Sequence, residues 1–381
     1  MKKRSVKIVA LMLIAAMVFA LAGCTLGNNA QQAAEPEQTE GEQPAGTEEV
    51  TVGLERNKYP IPDYSGVGSD VRVIRLSVSM NEADYGVAAT GAMVKTFVDK
   101  MEELSGGKVV VQVYPGNQLA GTTDDIINGL NTGAFEMAEV GAGNWGDYTT
   151  AFAPLNVPFV LENDEIAYEV ATGEIGDIMF DQFTKDTSMH PVGFMYMGMR
   201  TITNDKKEIH SPADIKGLKI RTQSDPIQRA TFEAIGASTM TVAFSELFTA
   251  LQQGQCDGQD NPISLIVTRK FYEVQSYITM LNHMPNISIV FASDKLWSQL
   301  TDEEKGWMIE AGEAATKAGY DTCISTTDLL RSQLEAYGLT ITDLSAEEHQ
   351  AFVDCVSGSV WNDCKAKMGD DLWNKLMDAV K

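Results

Sequence analysis

The chain has 381 residues and a formal net charge of −24, with 53 acidic against 29 basic residues. Proteins that bind DNA or RNA neutralise phosphates with clustered Lys and Arg, so this acidic composition argues against a nucleic-acid partner. The more than 300 residues after about residue 70 are enough for two lobes, each with its own core.

The first 24 residues are typical of a bacterial export signal. The four basic residues near the start are Lys2, Lys3, Arg4 and Lys7, and an apolar run follows at residues 8–22. This run is shorter than the roughly 20 residues of a membrane-spanning helix. It ends in LAGC, which resembles the lipobox whose cysteine receives a lipid. We therefore predict a lipoprotein signal peptide at residues 1–23 and an exported protein held at the cell membrane by Cys24, on the extracellular face or in the periplasm.

The next segment is predicted to be a spacer. Residues 25 to about 65 are rich in Gln, Glu, Ala, Pro, Thr and Gly and hold few large apolar side chains, so they bury too little surface to offset the entropy of the chain. We assign residues 24–69 to the lipidated cysteine and a disordered acidic linker. A tail that recruits a partner is the alternative.

Strands and helices alternate after residue 70. Residues 71–79 and 109–114 are predicted strands on either side of a helix at 88–104, which Ser105-Gly106-Gly107 end. A helix at 123–131 and a strand at 135–140 follow. This order of strand, helix and strand predicts an α/β protein with a parallel sheet.

The pattern continues to the C-terminus. A helix at 164–183 and a buried strand at 191–197 are followed by a strand at 217–222. Four helix starts come next. Asp225-Pro226 is an N-cap followed by proline that opens a helix ending at Gly236, and Ser245 is predicted to cap a short helix closed by Gly254. Capping boxes stand at Thr301 and Ser345, the first opening a long helix towards Tyr337.

Motifs for catalysis and for metal binding are missing from the sequence. The chain has no GxSxG, HExxH or CxxC, so we predict neither an enzyme nor a metal or cofactor. Residues 141–146 spell GxGxxG, but prolines follow where a dinucleotide site needs a helix. Cys355 and Cys364 are compatible with a disulfide or with free buried thiols.

Three blocks between Met195 and Asn282 carry a specific resemblance: GMRTITNDKKEIHSPADIKGLKIRTQSDP, VAFSELFTALQQGQCDGQDNP and KFYEVQSYITMLNH. They resemble the solute-binding subunits of tripartite ATP-independent periplasmic (TRAP) transporters, the DctP-like, dicarboxylate-binding family. Weaker similarity in the segments GGKVVVQVYPGNQLAG and NTGAFEMAEV extends the resemblance over nearly the whole chain after about residue 70.

The resemblance implies a two-lobed periplasmic-binding-protein-like fold with a hinge and a long bracing helix. Residues 70–197 plus about 287–326 would form lobe I, and residues 198–286 plus about 327–381 would form lobe II with the C-terminal helices. The implied function is to capture a small organic anion, a carboxylate, and to pass it to the small and large TRAP membrane subunits. A binding protein of another transporter, a sensory receptor and, more remotely, a secreted hydrolase are the alternatives.

The resemblance also implies a ligand site. The family's salt-bridge partner for the ligand carboxylate corresponds to Arg221, and Asn261, Arg200 and Phe244 are the other predicted contacts. Independently, Arg221 ends a predicted strand, where open α/β sheets bind ligands, and a guanidinium can hold a carboxylate through two parallel N–H donors. A structural ion pair is the alternative for Arg200, and core packing is the alternative for Phe244.

Two weaker candidates come from loops. Asn81 and Trp145 are predicted to line the cleft. The acidic residue that follows the NTGAFEMAEV-like strand in sialic acid binders falls near Gly141 here, which argues against sialic acid as the ligand.

Overall fold

The computed structural model describes residues 51–381. The predicted signal peptide, Cys24 and the linker up to residue 50 lie outside the described residues. Within residues 51–381, strands and helices build two mixed sheets flanked by helices, which confirms the predicted α/β class.

The first sheet has the order β2-β1-β3-β10-β4. Its strands β1 and β3 are parallel to their neighbours β2 and β1, whereas β10 runs antiparallel to both β3 and β4. Their bounds are β1 Arg72–Ser77, β2 Val109–Tyr114, β3 Met137–Gly141, β4 His190–Met199 and β10 Pro285–Ala292.

The second sheet has the order β11-β9-β5-β8-β6-β7. Parallel pairs lie at its two edges, and β5 pairs antiparallel with β8 and β9 in the middle. The bounds are β5 Thr201–Asn204, β6 Lys219–Thr222, β7 Ser238–Thr241, β8 Gly258–Asn261, β9 Tyr277–Met280 and β11 Thr340–Asp343.

Helices cover both sheets. In the described part of the chain they are α1 Ala89–Ser105, α2 Thr123–Thr132, α3 Asp164–Thr172, α4 Glu174–Thr187, α5 Pro212–Ile215, α6 Pro226–Ile235, α7 Leu247–Gln252, α8 Ile263–Thr268, α9 Asp294–Trp297, α10 Asp302–Tyr337, α11 Ala346–Val356, α12 Ser359–Met368 and α13 Asp370–Ala379. None of them, among residues 51–381, is both long and apolar enough to cross a membrane.

The long helix α10 contacts both halves of the protein. Thr301 and Glu304 form the predicted capping box at its start, and 36 residues give it a length of about 54 Å. In its first half, Gly312 lies against β4 so closely that an added Cβ would stand 1.6 Å from the Val192 carbonyl oxygen. In its second half, Leu330 and Leu334 are buried in the core beneath the second sheet.

Two short connections cross between the sheets side by side, and α10 leads the chain across a third time, from the first sheet to β11. Arg200 alone joins β4 to β5, and residues 281–284 join β9 to β10. The two crossings are linked because the Arg200 backbone N–H donates to the Met284 carbonyl at 2.8 Å. This pair of short connections lies at the boundary between the two lobes.

Residues 51–69 differ from the predicted linker, because they lie against the folded part. Val52 and Leu54 pack on the core of the second sheet, and Ile61 packs on that of the first. The Gly53 N–H donates to Gln333 in α10 at 2.7 Å, and Arg56 forms a salt bridge with the buried Asp84 at 2.9 Å. The folded part therefore begins by residue 51, some twenty residues earlier than its composition indicates.

Three local predictions are also corrected or resolved. The helix predicted at 164–183 is two helices that break at Gly173. Ser245 lies inside a 3-10 turn, Phe244–Glu246, and does not cap α7. Cys355 and Cys364 are free, as are Cys256 and Cys323.

Candidate functional site

A cavity of about 250 Å³ lies between the two sheets. The first sheet and the segments next to it contribute polar groups from the ends of β1, β3 and β10. The second sheet contributes the ends of β6, β7 and β8. The polar side chains of the lining are Ser79, Asn117, Thr122, Thr123, Glu139, Asn144, Arg221, Gln223, Ser224, Thr241, Asn261, Asn286 and Ser288.

Arg221 is the cation of this cavity. It is the third residue of β6, at the carboxyl end of the strand, and only 2 % of it is exposed. Its Nε and Nη2 donate to the Val242 carbonyl oxygen at 3.0 and 2.7 Å, which fixes the plane of the guanidinium. Its Nη1 is buried without a hydrogen-bond partner, and no carboxylate of residues 51–381 lies within salt-bridge distance.

Burial without a counterion has an electrostatic cost. Removal from water is the main cause that lowers the pKa of Arg221 from 12.5 to about 10; the nearby charge of Arg200 acts in the same direction, and Asp260 opposes both. A buried charge is stable only when paired or fully hydrogen-bonded. The cavity therefore presents a positive group that no carboxylate of residues 51–381 contacts.

Asn261 and Phe244 line the same cavity. Asn261 is the last residue of β8, a strand adjacent to β6, so the sheet brings it beside Arg221. Its amide donates to the Gln259 side chain. Phe244 is half-buried, with the Arg269 guanidinium 4.8 Å from its ring centre and Phe271 packed edge-on.

Arg200, which was predicted to contact the ligand, lies behind the cavity wall and does not line the cavity. Its Nε donates to the Asp260 carboxylate at 2.8 Å, Nη2 donates to Asp260 as well, and Nη1 donates to the Asn286 side chain. The structure shows the alternative, a structural ion pair, because β8 places Asp260 opposite Arg200.

Asp260 is the centre of a buried polar network at the lobe boundary. Besides Arg200, it accepts hydrogen bonds from Gln228 at 2.7 Å and from His283 at 3.1 Å. Burial alone would raise the pKa of Asp260, but the charge of Arg200 and the bond from His283 hold it below the usual value. Burial lowers the pKa of His283, so the imidazole is neutral and donates through Nε2. This network fixes the two chain crossings relative to β8.

Asn81 and Trp145 are also outside the cavity lining, which corrects their predicted place. Asn81 donates to Asp84 and to the Thr268 carbonyl and accepts from Arg269, so it joins the two lobes away from the cavity. Trp145 is fully buried and packs edge-on against Phe183 and Phe291. Loop sequence alone did not reveal that the core of the first lobe extends to this tryptophan.

Glu139 is the charged lining residue that the sequence analysis did not predict. It lies in β3, with 5 % of the residue exposed, and its Oε2 accepts from the Ser79 N–H at 3.0 Å. The signal was present, because a charged residue stands near the end of an otherwise apolar buried strand. Gly141, the position compared with sialic acid binders, lies two residues further along on the same face of β3 and also lines the cavity.

A second buried carboxyl lies at the edge of the lobe contact. Asp225 caps α6 by accepting from the Ile227 N–H at 2.8 Å, while its other oxygen has no partner among the described residues. Burial raises its pKa from 3.8 to about 6, partly opposed by hydrogen bonds from the backbone and by Lys367. An added Cβ on Gly143 would approach the Asp225 side chain to 3.3 Å, so the loop after β3 packs directly on it.

Comparison with known proteins gives a consistent family match. A sequence profile of the bacterial extracellular solute-binding proteins, family 7, matches residues 85–367. A solute-binding protein of Roseobacter denitrificans is 32 % identical over 259 residues, which are 67 % of this chain and 78 % of the relative.

Solved structures agree with the fold. A TRAP periplasmic solute binding protein from Sulfurospirillum deleyianum with bound succinate is 27 % identical, with a TM-score of 0.74 over 81 % of this chain and 99 % of that one. The sugar acid binding protein of Advenella mimigardefordensis in complex with galactonate is 28 % identical, with a TM-score of 0.75 over 82 % of this chain and 98 % of that one. Both likenesses extend over both sheets of the present structure.

Proposed function

Since the chain belongs to the bacterial extracellular solute-binding proteins of family 7, we propose that it captures a small organic acid outside the cytoplasm and delivers it to the small and large membrane subunits of a TRAP transporter. The observation that carries this proposal is Arg221, a buried cation that lines an interlobe cavity and lacks a counterion. A ligand carboxylate would supply the missing charge.

The chemistry of the pair favours a carboxylate. A guanidinium offers planar, parallel donors that match the two oxygens of a carboxylate, and Val242 already fixes the orientation of this one. Asn261 adds an amide at the adjacent strand end, and Phe244 provides an apolar surface. The cavity lies between the lobes, so a ligand that binds both walls favours the closed form by its difference in affinity for the two forms.

Attachment to the membrane through a lipid on Cys24 is part of the proposal. A Cys24→Ser chain, expressed with its own signal, should incorporate no labelled fatty acid and should leave the membrane fraction or keep its signal peptide uncleaved. The unchanged chain is the control. Equal lipid labelling of the two chains would exclude Cys24 as the anchor.

The ligand class can be tested by thermal shift. The chain without residues 1–23 would be heated with a panel of organic acids, matched organic cations and neutral sugars. A ligand that binds only the folded state adds about 2.7 kcal/mol at one hundred times its Kd, so a true ligand should raise the melting temperature clearly. If no organic anion raises it and a cation or neutral sugar does, the proposal is wrong.

A further inference from the structure

Only two charged residues among residues 51–381 line the cavity, and they have opposite signs. Arg221 belongs to the second sheet and Glu139 to the first, so the charges stand on opposite walls. The rest of the polar lining consists of hydroxyl and amide side chains. The lining therefore has no second cation for a ligand with two carboxylates.

Glu139 is not explained by the fold alone. Its one hydrogen bond within the described chain, from the Ser79 N–H, needs only an oxygen acceptor, which the amide of a glutamine would supply equally well. No Lys, Arg or His of residues 51–381 lies within 4.0 Å of its carboxylate. Arg269, whose charge interacts with Glu139 at longer range, donates instead to Asn81 and to the Ser79 carbonyl. A buried carboxylate with neither a counterion in contact nor a structural need for its charge points to a role towards the ligand.

A carboxylate in a binding cavity selects by two effects. It accepts strong hydrogen bonds from ligand hydroxyls, and it repels a second negative charge in surroundings that screen poorly. Specificity commonly depends on such a repulsive element as well as on an attractive one. Side chains such as Asn117, Asn144 and Gln223 can complete the hydrogen bonding of further hydroxyls.

We infer that the ligand is a hydroxylated monocarboxylate, of the aldonate type, whose carboxylate binds Arg221 and whose hydroxyls donate to Glu139. This inference rests on the proposed function. It names Glu139 as the residue that excludes dicarboxylates.

The test is calorimetric titration of the chain without residues 1–23. The probes are D-erythronate, D-xylonate, D-gluconate and L-galactonate, compared with succinate, glutarate, adipate and 6-aminohexanoate. At least one aldonate should bind tenfold or more tightly than every dicarboxylate. In Glu139→Gln, the affinity for that aldonate should fall at least tenfold. The ratio of this affinity to the affinity for the best dicarboxylate should move towards or past equality.

Glu136→Gln is the matched control, because Glu136 pairs with Arg75 and does not line the cavity. It should leave the ratio of affinities unchanged, and the melting temperatures of both variants without ligand would show that they fold. A preference of the unchanged chain for a dicarboxylate or for 6-aminohexanoate would overturn the inference, as would an unchanged ratio in Glu139→Gln. Dicarboxylate binding would leave the proposed capture of organic acids intact, whereas an absence of binding by every acid would count against both.

Discussion

Replacing Arg221 by lysine keeps the positive charge and removes the geometry. In the wild type, two nitrogens of the guanidinium are bonded to the Val242 carbonyl while Nη1 has no partner in the described chain. A lysine has one nitrogen, which cannot hold Val242 and present a fixed pair of donors to a carboxylate at the same time. The loss of one charge-assisted hydrogen bond is about 2 kcal/mol, which corresponds to a Kd about 30-fold higher.

Calorimetric titration with the best acid from the thermal-shift panel measures this effect. Arg229→Lys is the control, because Arg229 is exposed and does not line the cavity, so its Kd should stay within about twofold. The melting temperature of each variant without ligand separates a binding defect from misfolding. Equal affinities for wild type and a folded Arg221→Lys would refute the assignment of Arg221 as the anchor of the carboxylate.

Three further predictions concern stability. Burial raises the pKa of Asp225 from 3.8 to about 6, so the unfolding free energy of the wild type, measured by urea denaturation, should fall by about 3 kcal/mol relative to that of Asp225→Asn as the pH rises from 3.5 to 7. If the unfolding free energies of the two proteins change with pH in parallel, the raised pKa is contradicted. A chain that starts at residue 67 lacks the packed side chains of Val52, Leu54 and Ile61, so its unfolding free energy in urea should be about 2–3 kcal/mol lower than that of a chain that starts at residue 51. Equal stability of the two chains would support the interpretation of this segment as a linker. Thr301→Ala should lower the unfolding free energy by about 1 kcal/mol through loss of the cap of α10, whereas Ser332→Ala, within the same helix, should not; equal effects would argue against the cap.

The elements that sequence predicted well are those defined by local signals. The strand β2, the helix α1 with its glycine stop, and the capping boxes of α10 and α11 all lie within a residue or two of the predicted positions. Each has a cap, a stop or an apolar period within its own sequence. Such signals act before any distant contact forms, so they can be read without the fold.

Two short strands of the second sheet, β5 and β8, have no such signal. β5 and β8 have the sequences TITN and GQDN, four residues each, yet both are buried. The residues of β8 have low strand propensity, and the strand exists because β5 and β6 pair with it on both sides. Those partners are distant in sequence, so the pairing is tertiary information.

The same limitation applies to the site. Arg221, Asn261 and Phe244 line the cavity, whereas Arg200 does not. A sequence shows that an arginine is present but not which residue opposes it, and Asp260, which pairs with Arg200, is 60 positions away. Glu139 was not predicted, because nothing in the sequence of β3 shows that the residue faces a cavity formed with a distant part of the chain.

The contact between α10 and β4 has a mechanical consequence. At Gly312 and Gly193 backbone meets backbone, and the Phe194 N–H donates to Thr316 of the helix at 3.1 Å. The close backbone contact and the hydrogen-bonded Thr316 side chain leave little room for the two elements to slide past each other without separating. The first half of the long helix is therefore tightly coupled to its sheet, and any rotation between the lobes would be taken up further along, where Leu330 and Leu334 make side-chain contacts.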